Sequence, residues 1–278
     1  MDHLKKLEQL KGLIESYGGL AVAFSGGVDS TLLMEVAHEV LGKKCLAVIA
    51  TSSTYPKREY EAALAWVQER CIRHMVIISE EIDIPGFADN PPDRCYFCKK
   101  ELFSRIQREV ERLGIHVIAD GANFDDTGDF RPGIRAAREL GVKSPLMECG
   151  LTKEDIRAIS REVYRLPTAD RQSMACMASR IPYGSPITHE KLGQIEAIEG
   201  FLADKGFKVY RARHHGDLLR LELGEEDREK LHTGGLASEI VEVFEARMAL
   251  PAKRGSKSAS SSCLSASFSA TDSMTTSH

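Results

Sequence analysis

Four groups of residues carry chemistry by their type and spacing. The first is Ser25-Gly26-Gly27-Val28-Asp29-Ser30-Thr31. It follows an apolar run at residues 20–24 and precedes Leu32, Leu33, Val36, Ala37 and Val40, whose spacing is helical. A strand that turns through glycines into a helix points free N–H groups and the positive helix end at one spot, a natural phosphate site. The glycines let the backbone approach the phosphates, and the Ser25, Ser30 and Thr31 hydroxyls add donors. The Lys-Ser/Thr pair of the common ATPase loop is missing. The second group is Cys95-Tyr96-Phe97-Cys98 with the distant Cys176. A C-x-x-C pair can chelate a metal, reduce disulfides or remain unligated. A zinc site wants a second pair that this chain lacks, and three thiols suit an iron–sulfur cluster with one iron left open. The third is Asp120-Gly121-Ala122-Asn123 with Asp125 and Asp126, which could hold magnesium or pyrophosphate, or only cap a turn. The fourth is Arg211 and Arg213, two apart on an expected strand and so on one face, where two guanidinium forks suit phosphate or carboxylate.

These groups need elements to hold them. Residues 45–50, 74–78, 115–119 and 144–147 read as further strands, alternating with helices at 56–69, 95–113, 135–140 and 153–163. An amphipathic helix from Leu4 to Ile14 precedes the first strand. The alternation predicts an α/β fold with a doubly wound, parallel, five-stranded sheet. The ends of its strands, carrying residues 25–31, 51–54 and 120–126, are where such sheets bind ligands. A smaller C-terminal α+β domain follows, with a helix at 189–205, strands at 208–214 and 217–223 around a hairpin, and helices at 226–231 and 238–248. The expected organisation is residues 1–170, then 171–250, then a Ser-rich, disordered tail at 251–278.

The chain is 42% hydrophobic and 28% charged with a net charge of −4, an ordinary soluble balance that disfavours a dedicated nucleic-acid binder. No run approaches the ~20 apolar residues of a membrane span, and the charged N-terminus is not a signal peptide. A cytoplasmic location is expected, where seven cysteines suggest metal or catalysis before disulfides.

The loop resembles that of the N-type ATP pyrophosphatases (the PP-loop, adenine nucleotide alpha hydrolase-like fold), which cleave ATP between the α and β phosphates and put AMP on an acceptor oxygen. Over the region from the first helix to about Val243 the chain resembles the LarE family of ATP-dependent sulfur transferases. The specific marks are Ser25 to Ser30, Asp120-Gly121-Ala122-Asn123, Asp129-Phe130-Arg131-Pro132-Gly133, and Cys176-Met177-Ala178-Ser179-Arg180-Ile181-Pro182-Tyr183-Gly184. The last block is absent from other PP-loop families. This resemblance implies synthesis of the nickel-pincer nucleotide cofactor of lactate racemase. The carboxylates of pyridinium-3,5-biscarboxylic acid mononucleotide are adenylated with ATP and Mg²⁺, and sulfur then displaces AMP. It implies ATP on Ser25, Gly26, Gly27, Val28, Asp29, Ser30, Thr31, Asp120 and Asn123, and substrate near Arg180, Glu199, Arg211 and Arg213. Some members consume the cysteine matching Cys176; others hold a 4Fe-4S cluster on cysteines matching Cys95, Cys98 and Cys176, and the presence of all three favours the cluster form. The expected partners are the mononucleotide, sulfide or a sulfur-donor protein, and further copies of the chain. A PP-loop tRNA thiolase is the nearest alternative, against which stand the acidic balance and the lack of a basic extension. The resemblance stops short of the C-terminus, where residues 245–278 lack the family's last strand and Gly-Tyr-Arg segment.

Overall fold

The computed structural model describes residues 2–128, 132–172, 175–231, 236–248 and 267–268. The chain divides into two compact units, one of residues 1–87 and 91–174, the other of residues 88–90 and 175–278.

The first unit is built on a parallel sheet of β1 (Leu20–Ala23), β2 (Cys45–Thr51), β3 (His74–Ile78) and β4 (Ile118–Ala119), in the order β3-β2-β1-β4. Both faces of its central strands are covered, which is why they read as unbroken apolar runs. On one face Leu20, Val22, Cys45, Ala47 and Ile49 join a core with α1 (Asp2–Ser16), α2 (Val28–Leu41), α3 (Lys57–Glu69) and α7 (Lys153–Glu162). On the other, Ala21, Leu46 and Val48 meet α4 (Arg94–Glu111) and α5 (Pro132–Glu139). The order reverses between β1 and β4, so the crevice at their carboxyl ends is a switch point of the kind that receives ligands.

The sheet has four strands among the described residues, not the five expected. The segment expected as the fifth strand is the short helix α6 (Pro145–Glu148). Pro145 has no N–H for a ladder, and the Ser144 N–H is taken by Glu148 Oε1 at 3.2 Å. What remains of the pairing is one parallel bridge between Ala119 and Lys143. The fourth strand is also shorter than expected, two residues in place of five. Helix α7 opens on a capping box in which Thr152 and Asp155 bond each other's backbone N–H.

In the second unit α8 (His189–Asp204) packs on the antiparallel hairpin β5 (Tyr210–His215) and β6 (Leu218–Leu223), with α9 (Glu225–Leu231) and α10 (Leu236–Met248) closing a core of Ile198, Leu202, Phe207, Ala212, Leu221, Ile240 and Phe244. The hairpin register pairs Arg211 with Glu222 and Arg213 with Arg220. Residues 88–90 join this unit through Asn90, whose fully buried amide donates to the carbonyls of Ile181, Pro182 and Ser185 at 2.8–3.2 Å. A two-residue strand, β7 (Ser267–Phe268), pairs in parallel with β6. The rest of the Ser-rich tail, and Asp129 to Arg131 of one family mark, lie outside the described residues. No helix among the described residues is long and apolar enough to cross a membrane.

Candidate functional site

The loop after β1 sits at the switch point. Gly27 caps α2 with φ −74 and ψ 166 and offers no side chain, so the first N–H groups of the helix lack a side-chain cap. An uncapped helix start of this kind is an anion site. Gly26 has a φ of +66, and a Cβ there would lie 3.0 Å from Ala63 Cβ, so the turn needs glycine twice over. Ser25 Oγ and Ser30 Oγ lie 3.1 Å apart, and the Ser25 N–H donates to Ser30 Oγ at 3.3 Å. Of the three hydroxyls expected to face phosphate, Ser25 alone is exposed; Ser30 is buried, and Thr31 is fully buried with its hydroxyl unpartnered among the described residues.

The Asp120 segment closes against this loop. A Cβ on Gly121 would meet the Ser30 N at 3.0 Å, so glycine there is what lets the two segments touch. Asn123 Nδ2 donates to Asp29 Oδ1 at 3.3 Å, which brings two of the expected residues together. The other Asp29 oxygen is held by Lys153 Nζ, from the first turn of α7. Asp120 accepts from Ser144 Oγ at 2.8 Å and from the Ala122 N–H at 3.2 Å. Burial pushes the Asp120 carboxyl above its ordinary value, and Lys99 partly opposes that. Two acidic oxygens beside a phosphate cradle suit Mg²⁺, which prefers one or two carboxylates plus phosphate oxygens.

Sequence reasoning missed Lys153, and with it Tyr55, Glu59 and Arg171. Tyr55 Oη donates to Ser25 O at 2.5 Å, and Arg171 donates to Gly26 O at 3.3 Å and to Glu59 at 2.7 Å. Their only signal was position: Tyr55 follows the end of the second strand, where the sheet binds ligands.

Cys95 and Cys98 occupy the first turn of α4, three residues apart and so on one helix face. Cys95 is exposed; Cys98 is half-buried and its thiol lies 3.8 Å from Glu81 Oε1. Glu81 also accepts from Thr54 Oγ1 at 3.0 Å, and burial raises its pKa above the usual carboxylate range. Among the described residues no group of three or more His, Cys, Asp or Glu is gathered as a metal ion would need. Cys95 and Cys98 belong to the first unit and Cys176 to the second.

In the second unit Cys176 precedes a 3-10 turn, Met177–Arg180. Its carbonyl accepts from the Ser179 N–H at 3.0 Å, Ser179 Oγ at 2.8 Å and Arg180 Nη1 at 3.1 Å. Arg180 also donates to Ala175 O, and it meets Glu199 through Nε at 2.9 Å and Nη2 at 3.1 Å. Arg180 is 1% exposed and Glu199 6%. Both were expected at the substrate; the structure spends their charges on each other and on the Cys176 turn. Arg213 is likewise engaged, by Glu222 at 2.6 Å and by Ser179 O at 3.2 Å. Arg211 has no hydrogen bond or ion pair among the described residues. Its pKa is lowered by burial first, then by Arg180 and Arg213. A half-buried cation crowded by two others is a place where a bound anion relieves both desolvation and repulsion.

No family model matches the chain. Among curated proteins it is 38% identical over 240 residues to an uncharacterized protein of Synechocystis, covering 86% of this chain and 89% of that one. It is 34% identical over 207 residues to the pyridinium-3,5-bisthiocarboxylic acid mononucleotide synthase of Lactiplantibacillus plantarum, covering 74% and 75%. A more distant relative is one subunit of the glutamine-hydrolyzing GMP synthase of Thermoplasma volcanium, 23% identical over 68% of this chain and 64% of that protein. With the loop, the Asp120 segment and the Cys176 turn in place, the relationship to the Lactiplantibacillus synthase decides the matter: the chain belongs to the LarE family of sulfur transferases.

Proposed function

We infer that the protein is an ATP-dependent sulfur transferase of nickel-pincer nucleotide synthesis. It adenylates the carboxylates of pyridinium-3,5-biscarboxylic acid mononucleotide and replaces carboxylate oxygen with sulfur. The observation that carries the reading is the uncapped start of α2 after a glycine turn, at the switch point of a parallel sheet, in a chain related to a synthase of the bis-thiocarboxylate.

A carboxylate is a poor acyl donor because its oxygen is a poor leaving group. Its attack on the α-phosphorus of ATP breaks the bond to the β-phosphate oxygen, releases pyrophosphate and leaves an acyl adenylate. The N–H groups of residues 26–30 hold the phosphates through that step, and Mg²⁺, where bound, would be held by Asp29 and Asp120. Arg211 holds an anionic group of the mononucleotide. A sulfur nucleophile then adds to the acyl carbon, and AMP departs with the carboxylate oxygen.

Cys176 is the residue on which the sulfur chemistry centres. All three cysteines of the cluster form are present, which supports a 4Fe-4S cluster on Cys95, Cys98 and Cys176. The other reading is that Cys176 gives up its own sulfur, as the resemblance to members that consume the matching cysteine implies. The test is anaerobic purification with iron and sulfide analysis, then turnover with ATP and the mononucleotide. Pyrophosphate release that needs the mononucleotide, and that Asp29→Asn abolishes, supports the transferase. Release unchanged in that variant sinks it. Iron lost in Cys95→Ala supports the cluster; an active, iron-free protein left with dehydroalanine at position 176 establishes the sacrificial form.

A further inference from the structure

Three consecutive carbonyl groups of the loop are bonded on their far side. Tyr55 Oη donates to Ser25 O at 2.5 Å, and Arg171 Nη1 donates to Gly26 O at 3.3 Å. Gly27 O accepts from the Thr31 N–H at 2.9 Å and from Ser30 Oγ at 3.3 Å. In a planar trans peptide the C=O and the next N–H point in opposite directions. A donor on Ser25 O therefore turns the Gly26 N–H away from Tyr55. A donor on Gly26 O turns the Gly27 N–H away from Arg171. The third bond comes from the helix itself; the first two come from outside the loop.

Those two outside donors matter because Gly26 and Gly27 lack the Cβ that fixes other residues' dihedrals, so their peptides flip cheaply unless held. Arg171 is itself held: its Nη2 meets Glu59 at 2.7 Å, and its carbonyl accepts from Arg157 Nη2 at 2.8 Å. Glu59 is buried in the first turn of α3. With Nη1 on the loop and Nη2 on Glu59, Arg171 has the fork of a guanidinium committed to bracing.

We propose that Tyr55, Arg171 and Glu59 are positioning residues that brace the loop with its N–H groups turned toward phosphate. This rests on the reading that the loop binds the ATP phosphates. The brace adds no contact to ATP; it sets the orientation of groups that make contact, so it works before ATP arrives.

The test measures ATP and pyrophosphate affinity by calorimetry, with kcat and KM for pyrophosphate release, in Tyr55→Phe, Arg171→Lys, Arg171→Gln and Tyr55→Phe/Arg171→Gln. Loss of one oriented donor should weaken ATP binding roughly tenfold, as expected of a hydrogen bond to a charged group. The double variant should lose more, for pyrophosphate as well as ATP, with the rise falling on KM more than on kcat. Arg171→Lys should recover part of the loss in Arg171→Gln, since lysine keeps the charge and a single donor. The melting midpoint of Tyr55→Phe should stay near that of the unmodified protein, which separates bracing from folding. If Arg171→Gln does not fold, Tyr55→Phe, which removes a single oxygen, decides alone. Unmodified protein that binds neither ATP nor pyrophosphate overturns the loop reading and the brace with it. Normal binding in the unmodified protein, matched within twofold by Tyr55→Phe and by every Arg171 variant that folds, overturns the brace alone.

Discussion

Replacing Glu199 with Gln tests whether the buried pair behind Cys176 is structural, functional or both. Glu199 accepts from Arg180 Nε at 2.9 Å, Arg180 Nη2 at 3.1 Å and the Ala212 N–H at 3.1 Å. Glutamine keeps one oxygen but sets an amide donor against a guanidinium, and it leaves the Arg180 charge buried without a counter-ion. Removing one partner of a buried pair costs about 3–5 kcal/mol. Solvent does not reduce that figure here, because the two side chains are 0% and 7% exposed. In a unit of this size each kcal/mol moves the melting midpoint by about 4–8 °C, so even the lower estimate shifts it by more than ~10 °C. Thermal unfolding followed by far-ultraviolet circular dichroism reads the shift. A second variant, Arg180→Met with Glu199→Leu, separates stability from positioning. An apolar pair of similar volume can recover most of the stability, but Ala175 O then loses its guanidinium donor and Cys176 O keeps only those of Ser179, so sulfur transfer should stay impaired. A shift under ~1 kcal/mol in Glu199→Gln, or full sulfur transfer in the stable double variant, would refute the argument.

Arg211→Ala should weaken mononucleotide binding tenfold or more, while folding stability holds or rises because a cation crowded by Arg180 and Arg213 is gone; a loss of stability without a loss of binding would count against an anion site. Lys153→Met should lower kcat/KM for pyrophosphate release by roughly 10–100-fold, the scale of a charged hydrogen bond, because Asp29 loses the cation that fixes it; an unchanged value would leave Lys153 a bystander. His214 is buried, with Nε2 2.7 Å from Gln194 Oε1. Its pKa is lowered, by burial first and then by Lys191, so its contribution to stability is full above the ordinary histidine value and is lost as pH falls toward the folded pKa. Urea midpoints should therefore drop on acidification below about pH 6.5, and His214→Gln should flatten that slope; an equal slope in both proteins would place the titration elsewhere.

The parts of the fold that local pattern dictates were legible in the chain. The run from Leu20 to Phe24 is apolar because both faces of β1 are covered, and the glycines that follow are required by a φ of +66 and by the contact at Ala63. The third strand, His74–Ile78, was read to the residue. The fifth was misread because its apolar content matched a strand while Pro145 removed the N–H that a ladder needs. The Asp29–Asn123 contact followed from the fold class, which sets both segments at the carboxyl edge. The residues that hold the loop did not follow. Lys153 is 124 residues from Asp29, and Arg171 is 145 from Gly26. Each is an ordinary surface-type residue in sequence, and only the packing of α7 and the segment after it gives it a partner.

The two arginines of β5 show how far periodicity carries and where it stops. Spacing of two puts Arg211 and Arg213 on one face, and sequence alone treats them as equals. The hairpin register sets Glu222 across from Arg211 and Arg220 across from Arg213. On register alone the carboxylate would go to Arg211. It goes instead on the diagonal, to Arg213 Nε at 2.6 Å, and to Arg220 Nη2 on its own strand at the same distance. One carboxylate thus serves two guanidinium groups, and both draw its pKa down against the effect of burial. Arg211 is left with its directly opposed carboxylate already engaged and with Arg180, itself neutralised by Glu199, as a further cationic neighbour. Three guanidinium groups on this face thus share one carboxylate, and Arg211 is the one that carboxylate does not bond, so it is Arg211 whose replacement should be felt by an anionic substrate and not by the fold.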